Sequence, residues 1–331
     1  MRISFNTSCI QPMIDWLFER KKNGQGDEEE LRQILSLPDY KVEFERYGLA
    51  NLPVCGINFE EAVDFFMNFD KKDFINQRLQ YKKESFIRFY NDIENKIDSI
   101  NSFTSLTNKD REIIELLLKN ALPDEALNDT PELNIILIVS IGNSMGWPYE
   151  HYIDYDLANL DAFKNKNDFL HVTAHEIHHI FVGQMLGEEG VTPEEYFLQN
   201  FAYEGLAVHF MNNLGTINKK KKYDDTTYCM NESDMTFYEE HFDEIFEMIK
   251  NDYYSCKGKT LEEVADIVSD HYEQFSFMGK SIKQYPTYYF GCYMWGLIDL
   301  HYGKEKLFEI IANPKLFIEF YNAFAEPKYC F

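Results

Sequence analysis

The chain reads as an α+β protein, predominantly helical, with a small β-sheet just ahead of one buried helix. Three observations carry that expectation. Apolar residues recur three or four apart through most of the first 125 residues and again after residue 165. Only the stretch 133–157 shows short β-branched or alternating runs. The segment 165–187, NKNDFLHVTAHEIHHIFVGQMLG, is apolar on nearly every side, as a helix inside a protein is.

The N-terminal elements all read as helices. Ile10–Arg20 sets Ile14, Leu17 and Phe18 at helical spacing. Asp27 to Glu30 place acids at the positive end of a second helix, which Pro38 ends. Asn58 with Glu61 forms a capping-box start for a third. Residues 81–100 carry Phe86, Phe89, Tyr90, Ile93, Ile97 and Ile100 at helical intervals. Thr107 caps a helix through Leu118 that stops before Pro123. Nothing here carries recognisable chemistry, so this part is expected to be scaffold.

Asn134–Ile141 is short, apolar and β-branched, a buried strand. Gly142–Gly146 reads as a turn, and the alternating His151–Leu157 as a second strand. An exposed edge of such a sheet could hold an extended peptide through its main chain; a plain hairpin is the equally simple reading. After the histidine-bearing helix, Gly187 and Gly190 mark a loop. Thr192, Pro193 and Glu195 then open a new helix, expected to run to about Gly215. Residues 217–230, with four lysines, read as a polar surface loop. Helices are expected at 233–250, at 260–277 behind the Thr260/Glu263 capping box, from Tyr285 to Leu300, at 304–312 and at 314–324.

Composition narrows the class. The chain has 331 residues, 45% hydrophobic and 16% aromatic, enough for a sizeable core. Its net charge is −24 and its pI about 4.7, which argues against nucleic acid or an anionic membrane surface as partner. Cys9, Cys55, Cys229, Cys256, Cys292 and Cys330 are scattered and form no C-x-x-C pair, so neither a disulfide framework nor a cysteine zinc site is expected. The first residues lack a basic start followed by an apolar run, and no 18-residue apolar run occurs. A soluble, reduced, cytoplasmic protein is the expectation.

The chemistry concentrates at His175-Glu176-Ile177-His178-His179, an H-E-x-x-H pattern. Side chains four apart on a helix are neighbours, so His175 and His179 can share one zinc ion. Glu176 sits about 100° around the helix. It can reach a water beside the metal without ligating the metal, the place of a general base in a zinc hydrolase. A chance match to the pattern is on the order of a few per cent per chain. Burying these polar side chains in an apolar helix is unfavourable unless they pair or bind metal.

Glu204, on the next helix, is the expected third ligand. Antiparallel packing puts it level with His179, since His179 to Gly187 rises about 12 Å and Pro193 to Glu204 about 16 Å. Small Gly205 and Ala207 are expected to let those two helices approach closely. His209 lies about 140° around from Glu204 and is a poorer candidate. His171 and His178 flank the metal face, as supports or as core histidines.

With these residues placed, the sequence resembles the gluzincin zinc metallopeptidases. Ala174–His179 with Gly183 looks like the zinc helix of the M1 aminopeptidases, and Glu204-Gly205-Leu206-Ala207 looks like their E-G-F-A segment. Tyr288-Tyr289-Phe290-Gly291 resembles their Y-x-x-G stretch, whose tyrosine stabilises the tetrahedral intermediate. Bacterial families described as zinc-dependent peptidases carry the same combination. The resemblance covers about 135–325 and implies a thermolysin-like core. It implies one zinc held by His175, His179 and Glu204, Glu176 as base, and Tyr288 (or Tyr289) as oxyanion donor, acting on a peptide or protein. A helical N-terminal region, 1–130, would precede a catalytic domain, 131–331. The pattern departs in two places. The gap from His179 to Glu204 is 25 residues, longer than in the aminopeptidases. Their G-A-M-E-N substrate segment is only echoed by Gly142–Gly146, where the glutamate that grips a free N-terminus is missing and Glu150 is a weak substitute. Two other readings use the same residues: a zinc-stabilised binding protein without turnover, and a zinc hydrolase of a non-peptide amide or ester.

Overall fold

A computed structural model describes all residues except 49–55, 129–131, 143–144, 164, 188–189, 213–216, 218–231, 274, 278 and 283–284. Most of the lysine-rich loop expected at 217–230 therefore lies outside the described residues, as do the middle of the expected 142–146 turn and part of the 187–190 loop. The chain is predominantly helical with one small mixed sheet. It divides into two compact units: Met1–Arg111 with Thr130–Phe169, and Glu112–Asp129 with Leu170–Phe331.

The first unit holds helices α1 (Ile10–Asn23), α2 (Glu28–Leu35), α3 (Pro38–Tyr47), α4 (Phe59–Asn68) and α5 (Gln77–Thr104). The acids of α2 and the Asn58/Glu61 box of α4 cap their helices as the sequence predicts. Phe65, Phe66, Phe69 and Phe86 meet ring to ring in the core. Buried Arg20 lies 4.2 Å over Phe69 and pairs with Asp70 at 2.6 Å.

The sheet corrects the sequence reading in two ways. Residues Ile3–Asn6 form a strand, β1, where helices alone were expected. Four residues are too few for a period-two pattern to declare itself. Second, β2 (Leu133–Ile138) and β4 (Tyr152–Asp156) are parallel neighbours, not the arms of a hairpin. The expected turn at 142–146 ends inside a further strand, β3 (Met145–Tyr149), which pairs antiparallel with β4. Strand order is β1-β2-β4-β3. Pro148 is tolerated because β3 is an edge strand. Glu150 sits exposed in the β3–β4 turn at φ 51°.

A buried polar network fastens the C-terminal ends of β2 and β4. Glu43 accepts hydrogen bonds from the Ser140 hydroxyl and from the Ile141 N–H, the latter at 2.9 Å. Lys82 donates to the Ser140 carbonyl and to Asp156 Oδ2, the latter at 3.0 Å, and Arg46 pairs with Asp154. Lys82 with Asp156 and Arg46 with Asp154 bring opposite charges together, which offsets the cost of burying them.

Two helices pass from one unit's residues into the other's: α6 (Asn108–Ala121) and α8 (Lys166–Met185). The second unit continues with α7 (Asp124–Asn128), α9 (Pro193–Ala207), α10 (Glu232–Glu240), α11 (Phe242–Ser255), α12 (Leu261–Val268), α13 (Pro286–Tyr302), α14 (Lys304–Ala312) and α15 (Phe317–Asn322). Three expected helices change form. The one at 233–250 breaks at His241, between α10 and α11. The one at 260–277 keeps its Thr260/Glu263 cap but ends at Val268. It then widens into a π turn, Ser269–Glu273, and the short hairpin β5 (Ser276–Phe277) and β6 (Lys280–Ser281) follows. The helix from Thr192 leaves α geometry after Ala207 and winds one π turn over Val208–Asn212. No helix among the described residues is long and apolar enough to cross a membrane.

Candidate metal centre

The second unit packs around the crossing of α9 and α13. Gly205 and Gly291 meet there. A Cβ on Gly205 would lie 2.2 Å from the Gly291 carbonyl carbon, and one on Gly291 would lie 2.0 Å from the Phe201 carbonyl oxygen. Neither distance is physically possible, so only glycine fits at either position. Gly205 was expected to ease α9 against the histidine helix; its close partner is α13. Nearby, Trp295 donates its indole N–H to the Leu198 carbonyl at 3.1 Å.

This crossing sets Glu204 on α9 and Tyr288 on α13 beside the buried histidines of α8. His175, His179 and Glu204 bring one donor atom each to within 4.8 Å of one another. His175 Nε2 and His179 Nε2 are each 3.3 Å from Glu204 Oε2. Two donors about 2.0–2.1 Å from a tetrahedral ion lie roughly 3.3 Å apart, so the spacing suits zinc. The donor chemistry suits it too: two imidazole nitrogens and one carboxylate oxygen. Burial keeps His179 deprotonated, pulling its pKa below the ordinary value even against the Glu204 charge. Burial alone would raise the Glu204 carboxyl, but the two imidazoles that face it hold it well below the usual carboxylate range. Both groups are thus in the forms a metal needs.

The π turn supplies a partner that the sequence did not reveal. His175 Nδ1–H donates to Asn212 Oδ1 at 2.6 Å. An amide oxygen only accepts, so the proton sits on Nδ1 and the Nε2 lone pair is left for a metal. His171 Nδ1 reaches the Met211 carbonyl of the same turn at 2.9 Å. Asn212 stands eight residues after Glu204, and no regular helix spacing would have singled it out.

The other histidines separate cleanly. His209 Nε2 lies 2.9 Å from Asp299 Oδ2, tying the π turn to α13. His178 is fully buried between Phe210 and Phe308, and neither ring nitrogen has a hydrogen-bond partner among the described residues. Burial and then the neighbouring histidines push its pKa well below the ordinary value, so it stays neutral. It is a core histidine, though not a hydrogen-bonded one.

Two tyrosines flank the cluster. Tyr203 stacks on His179 with ring centroids 4.2 Å apart and planes within 7°. Burial and the charges of Glu204 and Glu176 push its hydroxyl far above the ordinary value, so it stays protonated. Tyr288 is half-buried, its ring nearly parallel to that of His175 at 6.5 Å. Tyr289 points elsewhere and is buried against Tyr238 and Phe242. Glu176, next to His175 on α8, is half-buried.

Residues 31–328 match the family described as "Putative zinc dependent peptidase (DUF5700)". No curated protein and no solved structure matches the chain.

Proposed function

The chain belongs to this family of zinc-dependent peptidases, and from that premise we propose that it hydrolyses peptide bonds with one zinc ion held by His175, His179 and Glu204. The observation that carries the reading is the pair of 3.3 Å Nε2–Oε2 distances converging on one point, with Glu176 next in sequence to His175. The ligand set, two histidines four apart and a glutamate from the following helix, is that of a gluzincin, and we read the core as thermolysin-like on that basis.

Zinc bound there supplies Lewis acidity, which makes an adjacent water acidic near neutral pH. The protein's own groups do the rest. Glu176 accepts the proton of the attacking water and passes it to the leaving amine. Tyr288 donates its O–H to the oxygen of the peptide carbonyl as negative charge develops on it. Asn212 holds the His175 ring in the tautomer that frees Nε2. Tyr203 fixes the plane of the His179 ring by stacking on it.

The test combines metal analysis with cleavage of a peptide library. About one equivalent of tightly bound zinc and cleavage abolished by Glu176→Gln, with zinc retained, are expected. Hydrolysis that survives this substitution would overturn the mechanism. Zinc bound without any cleavage of peptides, amides or esters would make the protein a binding module.

A further inference from the structure

We propose that the cavity between α9, α12 and the loop after α8 is the substrate's specificity pocket, and that it receives a bulky apolar side chain, aromatic or long aliphatic, from the cleaved peptide. The inference rests on the peptidase reading. The cavity measures about 610 Å³, ample for such a side chain. Its walls are mainly Leu186, Val191, Tyr196, Tyr203, Leu261 and Ala265.

Continuity with the metal cluster comes through Tyr203. One face of its ring lies on His179 at 4.2 Å, and the same side chain lines the cavity. The cavity therefore shares a side chain with the candidate metal cluster. Tyr196, Asn200 and Tyr203 follow the i, i+4, i+7 rhythm of one helix face, which Glu204 borders. A peptide with its carbonyl at the cluster can lay a neighbouring residue along this face, since each residue of an extended chain advances about 3.3 Å.

The lining also decides the chemistry. The amide nitrogens of the lining are already engaged: Gln199 Nε2 donates to the Gly187 and Ile311 carbonyls at 3.2 Å each, and Asn200 Nδ2 donates to the Tyr196 carbonyl at 2.8 Å. A charged side chain entering would be desolvated with little in return. Glu262 at the exposed rim adds repulsion for acidic ones. An apolar side chain loses nothing and leaves water.

The test uses tripeptide hydroxamates, which grip zinc directly, titrated calorimetrically into the zinc-loaded protein. One probe carries only alanine, and others place phenylalanine at each position in turn. One position should gain roughly ten- to hundredfold in affinity from phenylalanine. Ala265→Trp, filling the cavity from α12, should collapse that ratio toward one, and Val191→Phe should do the same from the loop. A protein indifferent to phenylalanine at every position, or a gain that survives both substitutions, overturns the pocket while leaving the peptidase reading intact. Failure of the all-alanine hydroxamate to bind the zinc-loaded protein overturns the peptidase reading and the pocket with it.

Discussion

Gly205 and Gly291 touch backbone to backbone where α9 crosses α13. Each glycine lies within three residues of a side chain beside the metal cluster: Glu204 precedes Gly205, and Tyr288 stands one turn before Gly291. The contact is thus what sets a candidate ligand from one helix and a half-buried phenol from another at a common depth.

Replacing Gly291 with alanine drives a Cβ into the Phe201 carbonyl, and the backbone has nowhere to yield except by parting the helices. A loss of roughly 1–3 kcal/mol is expected from such overpacking. Urea denaturation measures it, and zinc affinity should fall in the same variant because Glu204 rides on the displaced helix. An unchanged midpoint and unchanged zinc affinity would show that the crossing does not set the site.

Asn212→Ala removes the acceptor that orders His175. Metal affinity should drop about 10–100-fold, the usual cost of losing such a partner. Competition with a fluorescent chelator reads it directly. Asn212→Asp keeps an acceptor and should restore most of the affinity, which separates an ordering role from simple damage to the π turn.

Tyr288→Phe should lower kcat by about 10²–10³ with KM little changed, the signature of a donor that acts only as charge develops. Zinc content should stay at the wild-type level. Tyr289→Phe, deep in the aromatic cluster, should leave kcat within a few fold. The opposite ranking would reassign the oxyanion donor.

The pH dependence of stability should carry a mark from Glu43. Burial first, and then the charge of Asp154, push its carboxyl up to about 8, against the opposing hydrogen bonds from Ser140 and Ile141 and the charge of Lys82. Its ordinary value is 4.5. A carboxyl that holds its proton more tightly when folded adds stability fully below about 4.5 and loses it as pH rises through about 8. Stability of the wild type should therefore fall across that window relative to Glu43→Gln, by the uptake of up to one proton. Parallel pH profiles for the two proteins would show that Glu43 is ionised throughout.

Much of the centre was legible because helices impose their own geometry. Spacing of four residues points His175 and His179 one way, and the helical rise alone set Glu204 near their level. The capping residues of α2, α4, α9 and α12 are short-range chemistry, and they read correctly. What escaped the sequence depends on distant partners. The four residues of β1 become a strand only because β2 offers them a parallel edge. Gly205 announced a close approach, but not which helix it approaches. Asn212 reaches His175 only because the helix changes its winding after Ala207, and nothing in Val208–Asn212 declares that change.

That change of winding makes the centre sensitive to counting. A π turn holds one residue more than the α turn it replaces. Wound as a plain α-helix with the same residues, Val208–Asn212 would turn Asn212 about 100° away from His175 and carry the Met211 carbonyl off His171. All three candidate ligands and Glu176 would remain in the sequence. Relatives aligned on their ligands alone would look equally competent; one that lacks a residue here can close the turn as α and keep its asparagine on the first histidine, so the brace is read from the asparagine and the length of the turn together.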